Sequence, residues 1–445
     1  MPLGQGVIGK KQVTAIAFMD TREINDGLVN IQDDGGFDGL MIAAKRYKPT
    51  DQPQYHHFVN ENVLEVLVID VAGVAGSGTP TLTITVNTQG FSRRGDKFLL
   101  SNLKMGMINS PITNAGGKDS FTLTSVDGTN LTAVAGDKLA PAGLVVGEKS
   151  LEVTALTYGQ TKYYNQIEIL ADKVSMTDVQ MKSKVEIGDK YYMYTQAAAQ
   201  ARSFKLKLSA SLWGGVKSVN QYGTFSPTLL DKDGNSVQTT GGVYNEVTTY
   251  GVAGTVATPG VVIAADIDTL CDSLLAVKAP NEYLNITPDK SWRKYDDYFK
   301  NLGSSGITAA RLTVDGNEID LNISKFQKGK FMFEFAGLGL LDHPEVYNFV
   351  GGSAIGKSIV GFPKDKIKVE GSTGASSMEP RVGIRYQPNP KADLNQGTEY
   401  VQEFESGGLA KSPTSAEQVL NLHWLSRQGA EVQGAKVMFT QRVTA

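Results

Sequence analysis

Several runs between residues 61 and 165 alternate hydrophobic and polar positions with a period of two, which predicts short β-strands. The run Phe121–Leu139 holds two strands around Asp127-Gly128, a dipeptide typical of hairpin turns. Glycine, asparagine and serine connect the runs, so the region predicts a small barrel or a long β loop. The other strand-like runs are Val63–Val71, Thr81–Thr88 and Arg93–Leu100.

A helical period appears at Ile187–Leu212, where apolar residues recur at spacings of three, four or seven. The run Ala197–Ala199 favours helix intrinsically, and Gly214-Gly215 predicts the helix end. At about 1.5 Å per residue the helix is about 40 Å long, which suits a spine that organises other elements. The predicted apolar stripe consists of Ile187, Tyr191, Tyr194, Ala198, Ala201, Leu208 and Leu212.

From residue 261 helical and strand-like patterns alternate. The segments Ile267–Val277 and Thr287–Leu302 have helical spacing, and Glu282–Thr287 and Gly329–Phe335 are strand-like. The segment Ala310–Ser324 predicts a hairpin with Asp315-Gly316 or Gly316-Asn317 at its tip.

The two ends of the chain differ in pattern. Residues 1–60 are polar and rich in glycine, which predicts an extended arm ordered by packing on something else. Residues 365–405 are rich in strand signals, Ser415–Leu425 predicts a short helix, and Ala435–Arg442 predicts a last strand.

Composition narrows the class of protein. Glycine supplies 48 of the 445 residues, about 11% against a usual ~7%, without the period of three that collagen needs. The 43 basic and 46 acidic residues give a net charge of −3, which argues against tight non-specific binding of nucleic acid over a whole face. Cys271 is the only cysteine, so this is not a disulfide scaffold. No signal peptide or membrane-spanning run is present, which predicts a soluble protein used inside a cell.

One stretch matches a phosphate-binding loop. Gly351–Ser358 fits G-x-x-x-x-G-K-[ST], in which backbone N–H groups wrap phosphates and the lysine reaches their oxygens. The motif requires a helix next, but Gly361 and Pro363 follow too soon for one. The sequence favours a chance match, and a nucleotide-binding enzyme that uses Lys357 and Ser358 stays as an alternative.

The remaining candidates for chemistry are weak. Asp231–Asn235 resembles the start of a calcium loop but lacks its later glycine and glutamate, which favours a plain turn. His56 and His57 are adjacent on an extended chain and point to opposite faces, and Cys271 lies on an apolar helix stripe. The sequence therefore predicts no enzyme, no catalytic, cofactor-binding or metal-binding residues, and no cofactor.

Basic residues cluster on and after the predicted spine helix. This cluster is either a solvated helix face or a surface for a partner's carboxylates or a polyanion. Its members are Arg202, Lys205, Lys207 and Lys217. The predicted layout indicates an assembly subunit, whose neighbouring copies would cover its apolar faces. It combines an arm, a long β segment, a long helix and an α/β unit, and it offers no active site.

The order of elements resembles the major capsid protein of tailed bacteriophages, the Hong Kong 97-type fold. The run Asn165–Gly215 is similar to the strand that leaves the E-loop followed by the spine helix. Thr239–Val247 resembles the Thr-Gly-Gly segment after that helix, and Val314–Phe326 resembles the hairpin near the A-domain tip. Glu403–Val443 is similar to the closing P-domain strands.

The resemblance implies an α+β fold with five segments. These are an N-terminal arm at 1–60, an E-loop with an inserted small β unit at 61–165, a P-domain with the spine helix at 166–250, an A-domain at 251–364, and P-domain return strands at 365–445. Lys97 and Lys104 lie where the type member carries a crosslinking lysine, but no site matches residue by residue, so we do not expect crosslinking.

The implied function is a shell subunit that assembles in the host cytoplasm and resides in the virion. Its expected partners are copies of itself in hexamers and pentamers, a portal, scaffold and cement proteins, and double-stranded DNA held without sequence readout, with no membrane. An encapsulin-like compartment shell is the alternative that keeps the fold.

Overall fold

The structure is a computed structural model that describes most of the chain. The described residues are 47–60, 67–72, 80–87, 90, 92–146, 160–182, 192–218, 229–304, 311–314, 317–320, 325–344, 346–347, 354–370, 376–389 and 400–443. Most of the predicted N-terminal arm, the first residues of the predicted spine helix, the start of the phosphate-loop match and the tip of the 310–324 hairpin lie outside them.

The described elements are numbered in chain order. The strands are β1 (Tyr47–Pro49), β2 (Gln54–Asn60), β3 (Leu67–Ala72), β4 (Thr81–Val86), β5 (Asp96–Leu99), β6 (Met105–Ile108), β7 (Thr113–Ala115), β8 (Lys118–Ser125), β9 (Lys138–Leu144), β10 (Gln160–Gln166), β11 (Glu168–Thr177), β12 (Val252–Gly254), β13 (Glu282–Thr287), β14 (Arg311–Val314), β15 (Asn317–Asp320), β16 (Lys325–Lys328), β17 (Phe331–Gly337), β18 (Ser358–Pro363), β19 (Lys366–Glu370), β20 (Ser376–Pro380), β21 (Val382–Tyr386), β22 (Val401–Ser406), β23 (Val419–Val432) and β24 (Phe439–Arg442). The helices are α1 (Asp178–Lys182), α2 (Tyr192–Gly214), α3 (Val243–Tyr250), α4 (Ala264–Ala276), α5 (Asp289–Ser304) and α6 (Gly339–Asp342).

The chain divides into two compact units. The first comprises Met1–His57 and Tyr164–Ala445, and the second is Phe58–Tyr163. Both boundaries fall within β2 and β10, which pair with each other as a two-stranded sheet. Mixed sheets and segregated helices place the chain in the predicted α+β class.

The described part of the second unit forms a closed barrel of six antiparallel strands, with the short strand β7 also paired to β8. The order is β3-β9-β5-β6-β8-β4, and β4 closes the ring by pairing with both β8 and β3. Alternate residues of β4 and β8 point inward, which explains the period-two pattern of the sequence. The predicted small barrel is confirmed. Its core consists of Leu67, Ile69, Leu82, Ile84, Val86, Phe98, Leu100, Ile108, Phe121, Leu123, Leu131 and Leu139.

The hairpin predicted around Asp127-Gly128 is wrong. The dipeptide does form a turn, with Gly128 at φ +75° and the Asp127 carboxylate accepting from the Ser125 hydroxyl and the Thr129 N–H. However, β8 and β9 lie on opposite sides of the six-strand ring and do not pair. The chain between them therefore crosses one end of the barrel, where Leu131 is completely buried.

The first unit contains a five-stranded sheet in the order β1-β21-β23-β11, with β22 also on β23. The 14-residue strand β23 pairs with both β11 and β22 over its first part, and with β21 from Gln428 to Val432. The short helix predicted at Ser415–Leu425 is wrong, because the chain from Val419 forms β23 instead. Pairing with three strands outweighs local propensity in that segment.

The helix α2 packs on one face of this sheet. The buried apolar positions of its last three turns are Phe204, Leu208, Leu212 and the fully buried Trp213. The predicted stripe fails at Ala198, which is exposed, because the alanine-rich first half of the helix does not share this core. The helix ends at Gly214 as predicted.

A second sheet of the first unit has six strands in the order β12-β24-β18-β13-β17-β16. The helices α4 and α5 cover an aromatic core that includes Tyr283, Tyr295, Phe333 and Phe439. The predicted elements at 267–277, 282–287, 287–302 and 329–335 are confirmed as α4, β13, α5 and β17. The strands of the predicted 310–324 hairpin are confirmed, because β14 and β15 pair antiparallel.

The end of the chain contributes to this six-stranded sheet. The predicted last strand forms only at Phe439–Arg442, after a 3-10 turn at Ala435–Val437. That strand, β24, pairs between β12 and β18 rather than with the five-stranded sheet.

Candidate functional site

The end of β10 is fixed by a fully satisfied asparagine. The Asn165 amide donates to the carbonyl oxygens of Gly241 and Ala430, both at 2.7 Å. Its carbonyl oxygen accepts from the N–H groups of Gln166 and Gly241 at 2.8 and 2.9 Å. One side chain thus uses all four of its hydrogen-bonding positions and joins β10, the 239–242 loop and β23.

The partner strand β2 is fixed at the same place. The Tyr55 hydroxyl donates to the Ala430 carbonyl, and the Thr240 hydroxyl accepts from the Ala430 N–H. Burial raises the pKa of Tyr55 well above its usual value, so the phenol stays a donor. A Cβ at position 429 would lie 2.5 Å from the Gln166 carbonyl oxygen, so this crossing requires the glycine found there.

A charged pair lies beside these contacts. Lys217 Nζ is 3.1 Å from Glu246 Oε1 and donates to the Tyr164 carbonyl oxygen at 3.0 Å. Burial raises the pKa of Glu246, and the Lys217 ammonium opposes that rise. We call Tyr55, Asn165, Lys217, Thr240 and Glu246 together the root junction, since it holds the two strands from which the chain enters and leaves the second unit.

The C-terminal end of α2 meets the neighbouring loops at close range. The Asn245 amide donates to the carbonyl oxygens of Gly214 and Gly215, which have no partner within the helix. A Cβ at position 214 would lie 2.4 Å from the Tyr347 hydroxyl oxygen. Neither glycine has a positive φ, so close approach rather than a left-handed cap explains the Gly-Gly pair.

The phosphate-loop match is not a phosphate-binding loop. Ile355–Lys357 forms a single 3-10 turn, and Ser358 begins the completely buried strand β18. The Ser358 hydroxyl donates to the Ala354 carbonyl oxygen at 2.7 Å. A buried strand stands where the motif needs a helix, so the nucleotide-binding alternative is wrong for the described part of this segment.

The calcium-loop match is a turn, as the sequence favours. The Asp231 carboxylate accepts from the N–H groups of Asp233 and Asn235, both at 2.8 Å. These hydrogen bonds hold the pKa of Asp231 below its usual value. Gly234 has φ +82°, which fits a turn between Leu230 and Ser236.

The histidine and cysteine candidates also have structural roles. Cys271 lies on the buried face of α4, where burial raises its pKa to about 11. Burial lowers the pKa of His57, with Glu431 and Arg385 nearby. Within the described ranges no three histidine, cysteine or carboxylate side chains gather as metal ligands. No helix in those ranges is long and apolar enough to cross a membrane.

The predicted basic cluster separates into different environments. Lys217 belongs to the root junction, and Lys207 pairs with Asp172 at 2.7 Å. Arg202 and Lys205 remain exposed on α2. In the barrel, Lys104 Nζ donates to the Asn130 carbonyl oxygen, and Lys97 is half-buried on β5.

Comparison with known proteins gives structural neighbours only. No family model matches this sequence. No curated protein matches it. Among solved structures, the chain is similar to the capsid of a native GTA particle, at 9% identity over 97% of this chain and 99% of that chain, with a TM-score of 0.38. A chain of Mycobacterium phage Bobi has 8% identity, coverage of 98% and 99%, and a TM-score of 0.41. An encapsulin complex from Synechococcus elongatus has 10% identity, coverage of 65% and 78%, and a TM-score of 0.35.

Most residues of the root junction belong to no motif for chemistry in the sequence. Asn165, Thr240 and Glu246 lie within the two segments quoted for the capsid resemblance, which was the available signal. Tyr55 carried no signal of its own, because only the fold brings it to Ala430.

Proposed function

We propose that this protein is the major capsid protein of a tailed bacteriophage, which self-assembles into the icosahedral head shell around double-stranded DNA. The observation that carries the proposal is the nested topology. A closed barrel with its own core is inserted between β2 and β10 of a unit that combines a long helix, a five-stranded sheet and a separate six-stranded sheet. This topology supports the order of E-loop, spine helix and A-domain that the sequence resemblance implies.

The parts have distinct proposed roles. The arm at 1–60 and the enlarged E-loop at 61–165 overlap adjacent copies, and the A-domain at 251–364 meets its counterparts around the axes of hexamers and pentamers. The P-domain, at 166–250 and 365–445, makes contacts between capsomers. The near-neutral charge of −3 suits a shell that encloses DNA without binding it tightly.

The proposed role is structural and not enzymatic, and its place is the virion. A portal, and scaffold and cement proteins, are the further proposed partners. The strand at Ser358 supports this over nucleotide chemistry. ATP-binding calorimetry on the wild-type protein and on Lys357→Ala should give no heat of binding for either.

Electron microscopy of the purified protein tests the proposal directly. The chain should be expressed alone and with a scaffold protein from the same genome, and we expect closed shells of uniform diameter in at least one case. A monodisperse monomer under both conditions would sink the proposal. Shells that form alongside a portal and fill with DNA support a phage head, whereas shells loaded with a protein cargo and no genome favour the encapsulin-like alternative.

A further inference from the structure

The aromatic core covered by α4 and α5 contains two buried amide side chains. Asn285 lies on β13 and Gln441 on β24, and they are 1% and 0% exposed. Tyr283 and Phe439, two residues before them on the same strands, belong to this core. Because side chains alternate along a strand, both amides point into the core, where an apolar residue is the usual choice. A buried amide costs free energy unless it is hydrogen-bonded, so both amides require partners.

One polar atom of each amide has no protein partner. Within the part of the chain that the structure describes, Asn285 Oδ1 and Gln441 Nε2 are buried without a hydrogen bond. The other end of the Gln441 amide is satisfied, because the Tyr295 hydroxyl donates to Gln441 Oε1. Burial raises the pKa of Tyr295 above its usual value, so the hydroxyl keeps the proton that it donates. The phenolic oxygen can still accept a hydrogen bond.

A small cavity lies beside these groups. Its volume is about 10 Å³, and Asn285 and Tyr295 are the polar residues of its lining. The other lining residues are aliphatic or aromatic, with Phe333 and Ile359 among them. One water molecule requires a cavity of at least about 10–15 Å³ and two to four polar partners. The cavity is at the lower end of that range, so it has room for one water molecule and for nothing larger.

The register of the sheet brings Gln441 to the same place. Gln441 pairs directly with Ile359 of β18, which lines the cavity. Asn285 pairs with Gly361, the next residue of β18 on the same face. The two amides therefore lie in neighbouring rows of one sheet face. The helix α5 covers that face here, since Tyr295 reaches Gln441.

We propose that this cavity binds one structural water molecule, which donates to Asn285 Oδ1 and to the Tyr295 hydroxyl oxygen and accepts from Gln441 Nε2. Water fits because it is small, neutral, and both a donor and an acceptor. A cation would bring a charge into an aromatic core whose described lining contains no carboxylate, which burial opposes. The water fastens α5 and the last strand to β13. The inference concerns the core of the first unit, so it stands whether or not shells form.

An experimental structure of the wild-type protein, at a resolution that shows ordered water, tests the site directly. We expect a density peak within hydrogen-bonding distance of both Asn285 Oδ1 and the Tyr295 hydroxyl oxygen. A cavity without density would overturn the proposal. So would a structure in which the Asn285 and Gln441 amides bond directly to each other. This test does not depend on how any variant folds.

The stability of Asn285→Leu supplies a second readout, because leucine has nearly the shape of asparagine but no hydrogen-bonding group. With water bound, the substitution removes a satisfied hydrogen bond, and the urea midpoint of the first unit should fall. Without water, it relieves a buried unpaired oxygen, and the midpoint should rise or stay the same, which would contradict the proposal. Asn114→Leu, on an exposed strand of the barrel, is the matched control and should not shift this midpoint.

A double-variant cycle tests whether one molecule bridges the two groups. Tyr295→Phe should also lower the urea midpoint, because the phenolic oxygen is lost. Combining it with Asn285→Leu should cost less than the sum of the two single losses, since both remove bonds to the same water. Additive losses would overturn the bridge.

Discussion

Lys217 and Glu246 form an ion pair at 3.1 Å in which the side chains are only 17% and 12% exposed. The same ammonium lies 4.4 Å from the centroid of the Tyr164 ring, so it links α3 to the last part of β10. A buried charge that loses its partner keeps its full desolvation cost. Removing one partner should therefore lower the stability of the fold by more than the intact pair contributes to it.

Lys217→Met should lower the free energy of unfolding by about 3–5 kcal/mol, because Glu246 would be left buried and unpaired. The double variant Lys217→Met, Glu246→Leu should recover a large part of that loss. Urea denaturation of both variants measures the effect. Lys207→Met is the matched control, since Lys207 is 56% exposed in its pair with Asp172 and should cost less than ~1 kcal/mol.

Asn165→Leu should destabilise the first unit by at least about 3 kcal/mol, because four buried hydrogen bonds to backbone groups are lost. Asn165→Asp should be comparably harmful, since a carboxylate would face the carbonyl oxygens of Gly241 and Ala430. Thermal unfolding followed by tryptophan fluorescence provides the measurement. Asn114→Leu, on an exposed strand of the barrel, should stay within about 0.5 kcal/mol of the wild type, and a similar loss there would contradict a specific role for Asn165.

Gly214→Ala should cost about 1–3 kcal/mol, since the new methyl group would overlap the Tyr347 hydroxyl and force the end of α2 to move. Gly337→Ala tests whether any added methyl group is harmful. Its Cβ would meet only Trp292 at an ordinary 3.7 Å, so its midpoint in a urea titration should match that of the wild type. Indistinguishable midpoints for the two variants would refute the close approach at Gly214.

Acidification should weaken the first unit through His57. Burial lowers the pKa of His57 in the folded protein, so the unfolded chain takes up the proton first as pH falls. The stability is fully present above about pH 6.5 and is lost as pH falls through the depressed folded value. His57→Gln should flatten the melting temperature between pH 7.5 and 5. Burial also lowers the pKa of His423. His423→Gln should therefore remove a separate part of the dependence of the melting temperature on pH.

Phe121→Ala should destabilise the barrel by about 3–5 kcal/mol, because Phe121 is 2% exposed in its core. The barrel has a core of its own, so hydrogen exchange should speed up within 67–144 and stay unchanged in α2. Equal loss of protection in both places would mean that the two units unfold together.

Local sequence patterns were sufficient to predict the elements whose bounds depend only on nearby residues. The β13 strand matches its predicted bounds, and α5 begins where Pro288 and Asp289 predict a helix start, because capping and periodicity act within a few residues. The filled barrel was also foreseeable from many short alternating strands. The helix prediction at Ser415–Leu425 was wrong, because the chain from Val419 forms a strand that three neighbouring strands stabilise.

The sequence by itself determined the α+β class, a barrel-sized β insertion, a long helix and the lack of a complete catalytic motif, since all of these depend on periodicity and residue type. Only the tertiary structure decided that β8 and β9 lie across the barrel from each other, that Asn165 and Tyr55 meet at Ala430, and that Leu103 stands outside with a positive φ. The physical reason is that pairing partners, buried polar contacts and backbone strain depend on residues far apart in the chain, which no local pattern records.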